Sequence, residues 1–184
     1  MGWLGTFQYT LFREGRLVTQ ETCHNSLTKR GAVMLVFRSL HGPFNGGIPN
    51  AEGGGFTMVG DTHWIGLINA AGFGGLDRAD HFLYPGPLAP TAAWVEFTSY
   101  ISPFFGRLRF DFPDQIGLGL NSISSDTVLF EITASAILQG VFLTNRQPKV
   151  IKEDVWASAE FPSPLTVKIG DILCVDYTAT LTIT

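Results

Sequence analysis

The closing stretch "DILCVDYTATLTIT" alternates between two kinds of side chain, and this alternation limits the fold more than any other feature of the chain. Successive side chains of an extended strand point to opposite faces. Leu173, Val175 and Tyr177 therefore share one face, and Cys174, Asp176 and Thr178 share the other. The opening stretch "GTFQYTLFREGRLVTQETCHN" follows the same period, with Phe7, Tyr9 and Leu11 ahead of a turn at Gly15 and Leu17 behind it. It predicts a hairpin, or an arm, over residues 1–24. Between the two ends run "THWIGLIN", "AWVEFTSY", "GRLRFDF", "VLFEITASAILQGVFLTN" and "DVWASAEF", set apart by the turn-like pieces "SSD", "NRQP", "FPSP" and "KIGD". Many strands with short turns predict a mainly β, single-domain chain over 1–184, an antiparallel β-sandwich of jelly-roll type.

One helix is expected near the N-terminus, over residues 27–40. Asn25 or Ser26 supplies the cap and Gly42 the stop. Its centre, "AVMLVF", is apolar almost all round, so the helix should be covered on both sides, and the same run also fits a buried strand. Residues 42–61, "GPFNGGIPNAEGGGFTMVGD", are too rich in glycine and proline for regular structure without outside contacts. A second long loop follows "WIGLIN" and runs to the strand "AWVEFTSY", which begins at Ala93.

Among the 184 residues, 45% are hydrophobic and 15% charged, against about 25% charged in an ordinary soluble domain. Part of so apolar a surface should be covered by a partner or by further copies of the chain. The net charge of −4 argues against nucleic acid, which needs a basic face. Lys29, Arg30, Arg38, Arg107 and Arg109 are expected to be solvated or interface charges. No run reaches the roughly 18 apolar residues of a membrane span, and "MGWLGTFQYT" lacks the positive start and continuous apolar core of a signal peptide, so no leader is expected and a reducing cytoplasm is the expected place of synthesis. Cys23 and Cys174 lie far apart, which excludes a paired-cysteine zinc site. Two buried, reduced thiols are the favoured reading, and a bridge between the terminal strands is the other.

The segment from 79 to 100 gathers Asp80, His81, Trp94, Glu96 and Tyr100, a set that suits an active-site loop as well as a decorated turn. Of His24, His41, His63 and His81, no two stand at metal-ligating spacing, although His63 and His81 could converge on Asp61, Asp77 or Asp80. "NSISSD" lacks the strand, glycine turn and helix of a nucleophile elbow, and "GGGFTMVGD" lacks the lysine of a phosphate loop. Glu96, Asp111, Asp114 and Glu131 offer carboxylates without nominating a pair. Trp64, Trp94, Tyr100, Phe104 and Phe105 could line a sugar platform, but Trp64 and Trp94 fit an alternating core face better. No catalytic residue, metal ligand or cofactor site is assigned, and an enzyme is not expected.

The order "HNSLTKRGAVML", "WIGLIN", "FGGLDRADHF", "AWVEFTSY", "GVFLTN" and "WASAEFPSPLTVKIGDILCVDYTATLTIT" resembles a family of small tailed-bacteriophage virion proteins, from about residue 23 to the end. The chain has "AAWVE" where that pattern often places glycine before the tryptophan, and its 42–61 loop is unusually rich in glycine. The better understood relatives resemble head decoration, or cement, proteins. The resemblance implies a virion protein made in the host cytoplasm that binds the major capsid protein on the outer shell. It also implies self-association as a dimer or a trimer. A tail, baseplate or head-fibre component is the alternative, and a carbohydrate-binding module is another. On this reading the contacts come from the N-terminal segment and the glycine-rich loop, through Trp3, Phe7, Tyr9, Phe44, Ile48 and Phe56, together with the turn residues Phe104 and Phe105. Trp94 and Tyr100 would pack, and Glu96 would face a neighbour or solvent.

Overall fold

The computed structural model describes residues 2–27, 48–49, 55–56, 63–76, 94–102, 106–110, 122–144 and 155–182. They form β1 (Gly2–Arg13), β2 (Arg16–His24), β3 (Ser26–Leu27), β4 (Ile48–Pro49), β5 (Gly55–Phe56), β6 (His63–Asn69) and β7 (Val95–Phe97). Then come β8 (Leu108–Phe110), β9 (Ser122–Ser124), β10 (Val128–Glu131), β11 (Ala136–Thr144), β12 (Val155–Val167) and β13 (Ile172–Thr182). There is no helix among the described residues. Leu27, the expected first residue of one, is instead in β3, where it pairs with Ala157 of β12, and residues 28–40 lie outside the described residues. The Asn25 side chain bonds across the five-stranded sheet. Its Oδ1 accepts from the Gly5 amide at 2.8 Å and its Nδ2 donates to the Tyr177 hydroxyl at 3.0 Å, tying the end of β2 to β1 and β13.

All pairings are antiparallel. One sheet has the order β10-β13-β1-β2, with β9 also on β13, and a second has the order β3-β12-β11-β6-β7, with β8 also on β6. The chain passes between them from β2 to β3, from β8 to β9, from β10 to β11 and from β12 to β13. Their facing sides share one core: Phe7, Tyr9, Leu11, Phe130, Leu173 and Val175 from the first, and Ile65, Leu67, Leu138, Val141, Leu143 and Phe161 from the second. Each such side chain contributes about 1.5–3 kcal/mol by leaving water. The rings of Tyr9 and Phe161 meet across the sheets with centroids 4.2 Å apart.

The N-terminal segment is a central strand and not an arm. β1 pairs with β13 over eleven consecutive positions, from Gly2 opposite Thr182 to Phe12 opposite Ile172, and with β2 on its other side. Phe7 and Tyr9 are consequently core residues, 0% and 1% exposed, so they cannot serve as contacts of the folded chain. The hairpin turn is built by Glu14 and Gly15, both at positive φ, which matches the twist of paired strands. A bulge follows: Leu11 pairs with Thr19 and Phe12 with Leu17, leaving Val18 unpaired. Leu17 is thereby moved from the face of Leu11 to that of Phe12, and it is exposed.

Two further expectations need correction. "FPSP" does not end a strand, because Phe161 to Pro164 lie inside β12. The ladder to β11 jumps there, with Glu160 opposite Gly140 and Leu165 opposite Leu138, so the prolines occupy positions where no amide is needed. The glycine-rich loop also contains a short ladder, with Ile48 opposite Phe56.

"KIGD" is a turn, with Gly170 at φ 84°. Its aspartate is buried and takes the Arg13 guanidinium from both sides, Nε to Oδ1 at 2.9 Å and Nη2 to Oδ2 at 2.7 Å. Oδ2 also accepts from the Lys168 amide at 2.8 Å. The Arg13 hydrogen bonds hold the Asp171 carboxyl below its usual range, more than burial raises it. A depressed carboxyl stabilises the fold above its unfolded value near 4, and the contribution fades as pH falls through the folded value. Arg13→Ala is expected to lower the unfolding midpoint at pH 7, because Asp171 loses both of its charge-assisted hydrogen bonds from the guanidinium. In urea unfolding, that difference should shrink markedly by about pH 3, because acid also weakens the wild-type pair.

Candidate functional site

Ile65 and Leu67 of β6 face the shared core, which puts Trp64, Gly66 and Ile68 on the far side of the six-stranded sheet. The outer face of such a sheet is commonly wet. Here it carries a second buried cluster of Ile68, Trp94, Phe142 and Val155, with Phe73 and Leu76 packed against it. Inside this layer lies an ion pair. Glu96 of β7 stands opposite Ile68, and Arg107, one residue before β8, reaches it with both arms: Nε to Oε1 and Nη2 to Oε2, each 2.8 Å. Both side chains are 2% exposed. The guanidinium carbon lies 5.2 Å from the centre of the Phe142 ring, and Trp94 packs on that ring at 5.0 Å.

Gly66 makes room for this arrangement. A Cβ at that position would overlap the edge of the Phe142 ring and stand 3.0 Å from Glu96 Oε1. Glycine in a strand interior often marks such a close approach. The pair also has an architectural position. β7 and β8 each pair with β6, through Leu67–Phe97 and Ile65–Leu108, and the Glu96–Arg107 bridge ties these two short strands to each other. Arginine stays protonated and both carboxylate oxygens already accept from it, so the arrangement orients strands and offers no proton to a substrate.

Two other described residues of the segment that resembled an active-site loop, Tyr100 and Trp94, are also committed to packing. Tyr100 meets Phe130 edge-on at 4.8 Å, and its backbone bridges to Ile132 between β10 and β11. Trp94 is buried as expected, although in the outer cluster and not between the sheets, and its Nε1 has no hydrogen-bond partner. Glu96 was expected to face a neighbour or solvent and Arg107 to be solvated or at an interface; each is buried against the other. Arg109 is exposed and Trp64, opposite it, is half-buried. Asp80 and His81 lie outside the described residues.

The other candidates that fall among the described residues stand on different elements. Trp3 stands opposite Leu181 in the β1–β13 ladder. Ile48 and Phe56 pair with each other. Phe44, Phe104 and Phe105 lie outside the described residues, as do His41, Asp61, Asp77, Asp111 and Asp114. His24 is exposed, with Nδ1 3.3 Å from Thr6 Oγ1, and His63 begins β6 opposite Phe110. Among the described residues no group of three or more possible metal ligands forms. Glu131 is exposed on the five-stranded sheet and Glu96 is buried on the six-stranded one, so they are not a catalytic pair.

Both thiols are free. Cys23 pairs with Phe7 and faces the core, whereas Cys174 pairs with Thr10 on the opposite face of the same sheet, so no bond can join them. Burial pushes the Cys23 thiol up to about 12, and burial raises Cys174 less far. Compared with known protein families, with characterised proteins and with solved structures, the chain matches none.

Two outcomes follow. Removing one member of the buried pair, by Glu96→Ala or Arg107→Ala, should cost about 3–5 kcal/mol in denaturant unfolding, because the other charge is left without a partner in an apolar layer. A thiol reagent at pH 8 should modify Cys174 in the folded chain and reach Cys23 only on unfolding, as peptide mass mapping would show.

Proposed function

We propose that the chain is a structural protein of a tailed-bacteriophage virion, a decoration protein that binds the major capsid protein on the outer shell and stabilises contacts between capsomers. Its body is read as a β-sandwich of jelly-roll type, supported by two antiparallel sheets with one common core. The observation that carries the proposal is where the motif residues of the resemblance lie. "WIGLIN" is the strand whose glycine admits the buried ion pair, "AWVEFTSY" supplies Trp94, Glu96 and Tyr100 to packing, and the aspartate of "KIGD" clamps the hairpin. The described members of that pattern thus build the body, as suits a structural protein. Binding through area fits such a body, since roughly 1,600 Å² of total interface gives specific attachment and repeated copies on a symmetric shell add avidity.

The test is the number and position of copies in purified particles, by imaging combined with quantitative protein stoichiometry. Hundreds of copies on the shell are the expected outcome. A few to a few dozen at one vertex would assign the chain to the tail, baseplate or head fibre, and absence from particles would overturn the virion reading.

A further inference from the structure

One end of the body is apolar. Four connections meet there: the Glu14–Gly15 turn, residues 70–73, residues 132–135 and the turn at 168–171. They are tied by Ala70 N to Ile137 O, Ile132 N to Asp171 O and Gly170 N to Ile132 O, each at 2.9 Å, and by the Arg13–Asp171 bridge. Of the eight exposed large hydrophobic side chains among the described residues, six lie within three positions of these connections in the chain, and pairing brings the other two beside them, Val95 opposite Asn69 and Ile101 next to Glu131. Ile169, 71% exposed, is at the tip of its turn. Leu17, Phe12, Ile172 and Glu131 form one row across β2, β1, β13 and β10, with Leu129 beside it. Ile101 adjoins the row, its amide donating to the Glu131 carbonyl at 2.9 Å. Val95 and Ile137 carry the apolar surface round to the six-stranded sheet.

Eight such side chains at about half exposure present several hundred Å² of apolar surface. That is beyond the scattered exposure normal for a monomer, and it approaches the roughly 800 Å² that one partner gives to a standard interface. The charges at the same end indicate the occupant. Glu14 and Glu131 are acidic, Arg16 and Lys168 basic; all four are exposed, and none forms an ion pair among the described residues. With two of each sign the end is neutral as a whole, so it offers no excess charge to a strongly acidic or basic partner. It does complement itself. Glu131 and Arg16 lie at opposite ends of the row, and a two-fold axis normal to the sheet, between β13 and β1 just beyond the turns, sets the Glu131 of one copy against the Arg16 of the other.

We infer that this end is the interface of a homodimer, in which two copies pack their hairpin ends about a two-fold axis. The inference is independent of the virion reading, since association in dilute solution and copy number in particles succeed or fail separately. It also differs from the contact regions expected from the sequence, the segment from Trp3 to Tyr9 and the 42–60 loop.

The experiment is light scattering and sedimentation of the full chain over a wide concentration range. The wild type is expected to pass from the mass of one chain to that of two. Ile169→Asp and Leu17→Asp, each at an exposed position and each checked for an unchanged circular dichroism spectrum and melting temperature, should weaken association by about tenfold or more. Thr22→Asp, exposed on β2 away from the turn, should leave it unchanged. A wild-type mass of one chain at every concentration would overturn the inference. So would a mass of three, or a dimer that both aspartate variants leave intact.

Discussion

The first and last strands lie side by side in the middle of one sheet, and the rest of the body is arranged around that pairing. β1 and β13 run antiparallel without a register shift, and each has a further strand on its other side. Joining segments so distant in sequence costs about 4–5 kcal/mol in loop closure, beyond a constant term. The ladder offsets this by burying Phe7, Tyr9, Leu11, Leu173, Val175 and Tyr177 in the same core. It is fastened at both ends by polar contacts of different kinds. Asn25 joins Gly5 to Tyr177 at one end, and Arg13 holds Asp171 at the other. Contacts of such long sequence separation predispose a chain to slow folding, because their entropy is lost before their contacts are gained.

The centre of the six-stranded sheet is buried on both faces, which explains why so weakly charged a chain can fold as two antiparallel sheets. A sheet wet on one side alternates apolar and polar residues, whereas β11 runs Val141, Phe142, Leu143 and Thr144 without an exposed position. Val141 and Leu143 enter the shared core, and Phe142 enters the outer layer. Taking Glu96 and Arg107 out of water costs several kcal/mol for each ion. Two charge-assisted hydrogen bonds and the face of Phe142 offset that cost only in one geometry, so the pair selects an arrangement of β7 and β8 more than it adds stability.

How much of this was legible in the sequence depended on whether a feature is local. Two-residue alternation disclosed β1, β2, β6 and β13, because facing is decided within a strand. The bulge at Val18 was not legible: a single unpaired residue turns Leu17 to the other face without altering composition. "FPSP" read as a turn because proline usually interrupts pairing, yet Phe161 anchors the segment against Tyr9 while the prolines sit in a gap of the ladder. Glu96 and Arg107 each looked like an ordinary surface charge, since nothing in either neighbourhood announces the other. The one available signal was Gly66, a glycine in the middle of an apolar strand.

The surplus of apolar residues has two destinations that composition alone could not separate. One portion fills the outer layer of the six-stranded sheet and is satisfied within the chain. The other remains exposed and is gathered at one end. Had the surplus been needed only for an internal third layer, the exposed remainder would be scattered singly, as it is on most monomers. Its concentration around four connections, among charges that cancel, is the observation on which the inferred dimer rests. Low charge content in such a chain therefore has two sources, a layer closed by folding and an exposed end that the inferred dimer would close.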